Sequence, residues 1–465
     1  MNTGFHIKNG FSQLPFPRLR GKARDGGSPV ATLLATCSIA AALAGCGVTH
    51  DPDEIIVQRF FGACSADYGG KTDVASAQGE CGIITTLINR FNAENPQTHV
   101  KVSTVAWPGY NQLSAQLAAG DAPDLVTMHE SAIADYQSRH LLEPMDEDLR
   151  AAGIDPASFT EAGRTGVTKE GRIYGMPFDT WAALWHINMN YFRQAGLVKD
   201  GAPLLPSSPE ELLAQARQFK QATGKPYFVQ SLANERPMYA RNLFTFLMQQ
   251  NADFFADPQH IRLRTPEAKR VVELFKQIYD EDLTTKDQDY SAATQGFLNG
   301  AGGVYLVGTW LIGDFDAESR RPDRPLTNGY TVTMYPQLYP GKEATYADGH
   351  SWVMPVRKRT AQQLQAIHKL LRFLADNDYE WSRTGHLPAF TAVVASDRFA
   401  ALPHRQNIAR LATVGTPLPA KVQRQFAIND IIGEEMAAAI AGQKPVDAAL
   451  ADAEHRVNDL LFHLL

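Results

Sequence analysis

The chain has 465 residues, 44% hydrophobic and 20% charged, which suits one large bilobal body or two to three ordinary domains and argues against global disorder. Its formal charge is −6, but residues 1–45 carry Lys8, Arg18, Arg20, Lys22 and Arg24 against Asp25, a net +4 that leaves −10 on the remainder. A body of that sign argues against a phosphate-backbone partner, so no nucleic acid is expected.

The basic start runs into an uncharged apolar stretch from Val30 to Gly45, shorter than the about 20 residues of a spanning helix and ordered like a secretory signal. Its end, Leu43-Ala44-Gly45-Cys46, resembles the lipobox of bacterial lipoproteins. That resemblance implies cleavage before Cys46, lipid on Cys46, and a periplasmic or extracytoplasmic protein held to a membrane by its anchor. With Cys37 removed in the signal, Cys64 and Cys81 are left as an even pair in an oxidising compartment, which predicts a disulfide. The stretch between them has no His and no thiolate-stabilising cluster to suggest a metal pair or a nucleophile.

After a polar tether over 46–54, Ile55 to Phe61 reads as a strand, Cys81 to Ala93 as a helix, Val100 to Ala106 as a strand, Tyr110 to Ala119 as a helix and Asp124 to Met128 as a strand. This βαβαβ order predicts a parallel sheet whose ligand surface is the loops after Phe61, Ala106 and Met128. Gly171 to Pro177 approaches an apolar strand, Thr180 to Ile187, taken as the first crossing between lobes. Ser208-Pro209 and Thr265-Pro266 have the cap-then-Pro order that opens helices. Val304 to Val307 and Trp352 to Val356 read as strands, Ala361 to Leu374 as an amphipathic helix, and Ile428 to Leu464 as two helices separated near Gly442 to Pro445.

Taken in order, several segments resemble the extracellular solute-binding proteins of bacterial ABC sugar importers, the maltose- and trehalose-binding type of family 1. They are the Leu43 to Cys46 lipobox, Phe91-Asn92-Ala93-Glu94-Asn95-Pro96, Ala119-Gly120-Asp121-Ala122-Pro123-Asp124, Gly175-Met176-Pro177, Ala195-Gly196-Leu197, Phe297 to Gly300 with Gly308-Thr309-Trp310, Gly385-His386-Leu387-Pro388, and Val446 to Leu450. The chain departs from the pattern in the Cys64 to Cys81 insert and in Ala389, which stands where relatives place an Arg after Leu-Pro.

The resemblance implies an α/β, two-lobed periplasmic-binding-protein-like fold with hinge-linked lobes. The expected lobes are 55–178 plus about 346–400 and 179–345 plus about 401–465, closing over a sugar. It also implies a monomer that does no chemistry, takes a disaccharide or short oligosaccharide and delivers it to ABC permease membrane subunits.

Sugars present apolar faces ringed by hydroxyls and call for aromatic platforms with carboxylates or amides. On that ground the expected ligand contacts are Trp310, Asp179, Trp181, Glu130, Trp352, Trp107, His129 and His350. His129, His350 and His386 show no metal-binding spacing, so neither a metal nor a cofactor is expected. Two rival readings are a glycoside hydrolase using Asp179 and Glu130 as its carboxylate pair and a receptor for a glycerol phosphate or another small polar solute, which would need cationic groups in the cleft.

Overall fold

A computed structural model describes residues 54–233 and 236–463. The signal, the residues 46–53 of the tether and the lipidation site Cys46 lie outside the described residues.

The first strands, β1 (Glu54–Arg59), β2 (His99–Thr104) and β3 (Leu125–His129), pair in parallel in the order β2-β1-β3. The helices between them are α1 (Gly79–Glu94) and α2 (Tyr110–Ala119). β4 (Met176–Asn188) runs for 13 residues and is buried at every position but Thr180, because it is covered on both faces and so reads as one apolar run rather than an alternation. The sheet continues through β5 (Phe228–Val229), β6 (Val304–Gly308), β7 (Tyr330–Thr333), β8 (Thr345–Val353), β9 (Leu387–Pro388) and β10 (Gly415–Thr416), with the main path β2-β1-β3-β8-β4-β6-β5.

β4 and β8 are the two strands shared by both halves. β8 pairs antiparallel with β3 from His350 to Val353 and with β4 from Ala347 to Trp352, while the far end of β4 pairs with β6. The apolar cores divide accordingly. One gathers residues such as Ile55, Leu125 and Phe178 with Trp352 and Trp381; another gathers Trp185, Phe244 and Val304 with Ile432 and Val457.

Local signals explain the second half. Ser208 caps α3 (Pro209–Thr223) by accepting from the Glu211 amide, and Thr265 does the same for the Ala268 amide at the start of α5 (Pro266–Asp280). Between them lies α4 (Arg236–Gln249), almost wholly buried. The closing pair, α6 (Gln425–Ile440) and α7 (Val446–Phe462), is separated by Gly442, whose φ of 71° ends the first helix in the left-handed conformation. Among the described residues, no helix is long and apolar enough to cross a membrane.

Two readings need correction. The strand expected over Trp352 to Val356 begins at Thr345 and ends at Val353, because Asp348, His350 and Ser351 find buried hydrogen-bond partners inside the sheet instead of forming a loop. The segment after Phe61 holds a short helix, Ser65–Tyr68, and a 3-10 turn, Val74–Ser76.

Cys64 and Cys81 are disulfide-bonded, with Cα atoms 6.0 Å apart and a sequence separation of 17. On the chain-entropy account a loop of this length contributes roughly 3 kcal/mol. Reduction is therefore expected to lower the urea midpoint; an unchanged midpoint in excess reductant would show that the loop adds nothing.

Candidate ligand-binding cleft

A cavity of about 520 Å³ lies at the carboxyl ends of β1, β3 and β6, the usual ligand position in open α/β sheets. Phe60, Phe61, Glu80, Trp107 and His129 line it from one side; Ser231, Met238, Arg241, Tyr290, Trp310 and Asp314 line it from the other; Trp181 and His350 come from the shared strands.

Three indoles form its aromatic framework. Trp107 is 42% exposed, and its Nε1–H donates to His129 Nε2 at 3.0 Å. That bond fixes the proton of neutral His129 on Nδ1, which faces Asp348 Oδ2 at 3.5 Å. Burial, then the neighbouring His350, holds His129 down to about 4, so it is neutral over the ordinary pH range. Asp348 is fixed in turn by the Ser131 hydroxyl at 2.5 Å and the Gly349 amide at 2.8 Å. Burial alone would raise its pKa, but His129 and these donors keep it below the usual carboxylate value.

Trp181, 1% exposed, has the Arg241 guanidinium 4.6 Å from its ring centroid and meets Trp310 edge-to-face at 5.5 Å. Trp310 follows β6 in a 3-10 turn and donates from Nε1 to the Tyr290 hydroxyl at 2.9 Å. Its ring lies over Gly308, where a Cβ would sit 1.9 Å from a ring carbon. Two carboxyl groups complete the wall. Burial pushes Asp314 up to about 6, and burial with the nearby Asp179 charge raises Glu80 well above its ordinary value.

Five of the eight expected contacts, Trp107, His129, Trp181, Trp310 and His350, come together in this wall. The other three do not. Asp179 is fully buried, accepting from Trp381 Nε1 at 2.7 Å, His350 Nδ1 at 2.9 Å and the His350 amide at 3.2 Å. Burial alone would raise it, but His350 and His386 hold it at about 2. Glu130 opens the helix Glu130–Ser138 and turns inward beside Gly166 and Gly349, where the Ser351 hydroxyl donates to it at 3.2 Å. Trp352 is fully buried, its ring 5.3 Å from that of Phe178. The carboxylate pair that the hydrolase reading needed is therefore absent from the cavity wall.

Sequence reasoning missed Phe60, Phe61, Glu80, Arg241, Tyr290 and Asp314. Arg241 lies in a helix buried at nearly every position, whose sequence reads as core.

These features define a two-lobed α/β protein with an aromatic-lined cleft. The chain belongs to the bacterial extracellular solute-binding protein family, whose model matches residues 86–407. It is 26% identical over 413 residues to the sn-glycerol-3-phosphate-binding periplasmic protein UgpB of Escherichia coli (strain K12), covering 83% of this chain and 91% of that protein. The corresponding protein of Salmonella typhimurium is 25% identical over 408 residues, with the same coverage of 83% and 91%.

Among solved structures, maltose-bound MalE3 of T. maritima superposes with a TM-score of 0.73 at 18% identity, covering 89% of this chain and 100% of that one. The GacH receptor of Streptomyces glaucescens, solved without ligand and with acarbose, gives 0.72 at 16% identity over 88% of this chain and 98% of its own. At such identities the superpositions establish the fold. Members of the family are solute-binding proteins rather than enzymes.

Proposed function

We propose that this protein is the lipid-anchored binding component of an ABC importer, holding a disaccharide or short oligosaccharide in the cleft and delivering it to the permease. The carrying observation is the cavity of about 520 Å³ in which Trp107, Trp181 and Trp310 converge. Its volume lies within the usual range for small-ligand sites, and indole faces suit the C–H faces of pyranose rings. Asp314 and Arg241 supply hydrogen-bonding groups for hydroxyls. The lobes, 55–178 with about 346–400 and 179–345 with about 401–465, close about β4 and β8 on binding, and the closed monomer is what the permease engages.

A second reading, a glycerol-phosphate receptor, is favoured by Arg241 in the wall and by the names of the relatives at 25–26% identity. Against it stand Glu80 and Asp314, two carboxyl groups in the same cavity. A thermal-shift series with maltose, trehalose, longer oligosaccharides and sn-glycerol 3-phosphate separates the two. Saturation at 100 times Kd adds about 2.7 kcal/mol of stability. A shift with glycerol 3-phosphate and none with any saccharide overturns the first reading.

The anchor has its own test. Cys46→Ser is expected to release the protein into the soluble fraction or block its processing, since membrane attachment rests on the attached acyl chains. A variant that still partitions with membranes sinks the anchor.

A further inference from the structure

Behind the cavity floor, His386 is fully buried and its Nε2 has no hydrogen-bond partner. Its protonation pattern follows from its neighbours. The Thr384 hydroxyl donates to the Trp381 carbonyl at 2.8 Å, so its oxygen can only accept from His386 Nδ1, 2.7 Å away. The neutral ring therefore carries its proton on Nδ1 and turns a bare lone pair at Nε2 toward Glu80 Oε1 at 3.4 Å and Asp179 Oδ2 at 3.8 Å.

His386 Nε2 thus faces two carboxyl groups with no donor bonded to it, while Asp179 Oδ2 accepts from Trp381 Nε1 and His350 Nδ1. The Arg59 guanidinium, which acts on Glu80, is engaged by the Gly62 carbonyl at 2.7 Å and the Thr85 hydroxyl at 2.8 Å. His350 closes the group, with Nδ1 at 2.9 Å from Asp179 Oδ2, and Asp179, His350 and His386 each bring a ligand atom within 4.8 Å of the others.

We propose that Glu80, Asp179, His350 and His386 form a binding site for a divalent transition-metal ion of the zinc type. Two imidazoles with two carboxylates are the donor set such ions take. Ligand atoms of a tetrahedral zinc with bonds of about 2.0–2.1 Å stand roughly 3.3–3.4 Å apart, and the separations of 3.4 and 3.8 Å are close to that edge. The Thr384 bond orients His386 in the way that outer partners usually fix a metal-binding histidine. His350 joins as its ring N–H moves from Nδ1 to Nε2 by exchange with solvent, which frees the Nδ1 lone pair for the metal and leaves the imidazole neutral, with no net proton released. The site does not depend on which solute the cleft takes.

The test uses the full-length chain purified without a polyhistidine tag, stripped with chelator, reloaded with zinc sulfate and desalted. One tightly held zinc per chain is expected, with a zinc-edge absorption spectrum showing imidazole ligation. Glu80→Gln and His386→Gln, each checked for native circular dichroism, should weaken zinc at least tenfold in competition with a chromophoric chelator. Glu130→Gln, a buried carboxylate outside the group, should retain it. No stoichiometric zinc in the wild type, a spectrum without imidazole, or wild-type affinity in both folded variants overturns the site; a proton on Glu80 then occupies the gap.

Discussion

Replacing Trp310 by Ala is expected to raise the Kd for the transported saccharide at least tenfold while leaving a folded protein. The indole projects into the cavity and is held by Tyr290 at 2.9 Å and by the Trp181 ring at 5.5 Å. Aromatic stacking contributes about 0.5–1.5 kcal/mol beyond the area buried, and lost apolar burial adds about 25 cal/mol per Å². A decade in affinity needs only about 1.4 kcal/mol.

Gly308→Ala should produce much of the same loss without removing the ring. The backbone there has φ −87°, open to any residue, yet the new methyl would lie 1.9 Å from a ring carbon and must push the indole off its position. Calorimetric titration of both variants, with melting curves alongside, is the measurement. An unchanged Kd in folded Trp310→Ala removes the platform from the site.

The parts of the fold legible in the sequence were those set by local physics. Period and turn chemistry located β1, α1, β2, α2 and β3 to within a few residues, and the Ser208-Pro209 and Thr265-Pro266 caps marked two helix starts. Trp310 was readable because a strand followed by Gly and Thr places the next large side chain at a strand's carboxyl end.

What stayed hidden depended on segments far apart in the chain. Asp179 stands at the expected crossing between lobes, which suggested a cleft contact, but β9 pairs with β4 at Thr180 and Asp179, and Trp381 and His386 close over the carboxylate. Glu130 follows the correct strand end and still misses the cavity, because Gly166 and Gly349 leave room for it to fold inward. No spacing rule could have joined Glu80, Asp179, His350 and His386, since four separate segments supply them. Arg241 was masked by the apolar helix that carries it.

Trp352→Ala is expected to act on stability and to leave the affinity of the folded protein alone. The side chain is fully buried in the core that holds Phe178 and Trp381, and its strand neighbours are Met176 on one side and Thr127 on the other. Close packing leaves no means of refilling a tryptophan-sized void, so truncation to Ala costs about 3–5 kcal/mol. The indole Nε1 has no hydrogen-bond partner, so Trp352→Phe gives up no hydrogen bond and should cost distinctly less than Ala. Urea denaturation of the three proteins should rank wild type above Phe above Ala, and titration well below the melting range should return one Kd for all three. A large affinity loss in Trp352→Ala at unchanged stability would put the ring in the ligand site and contradict its burial.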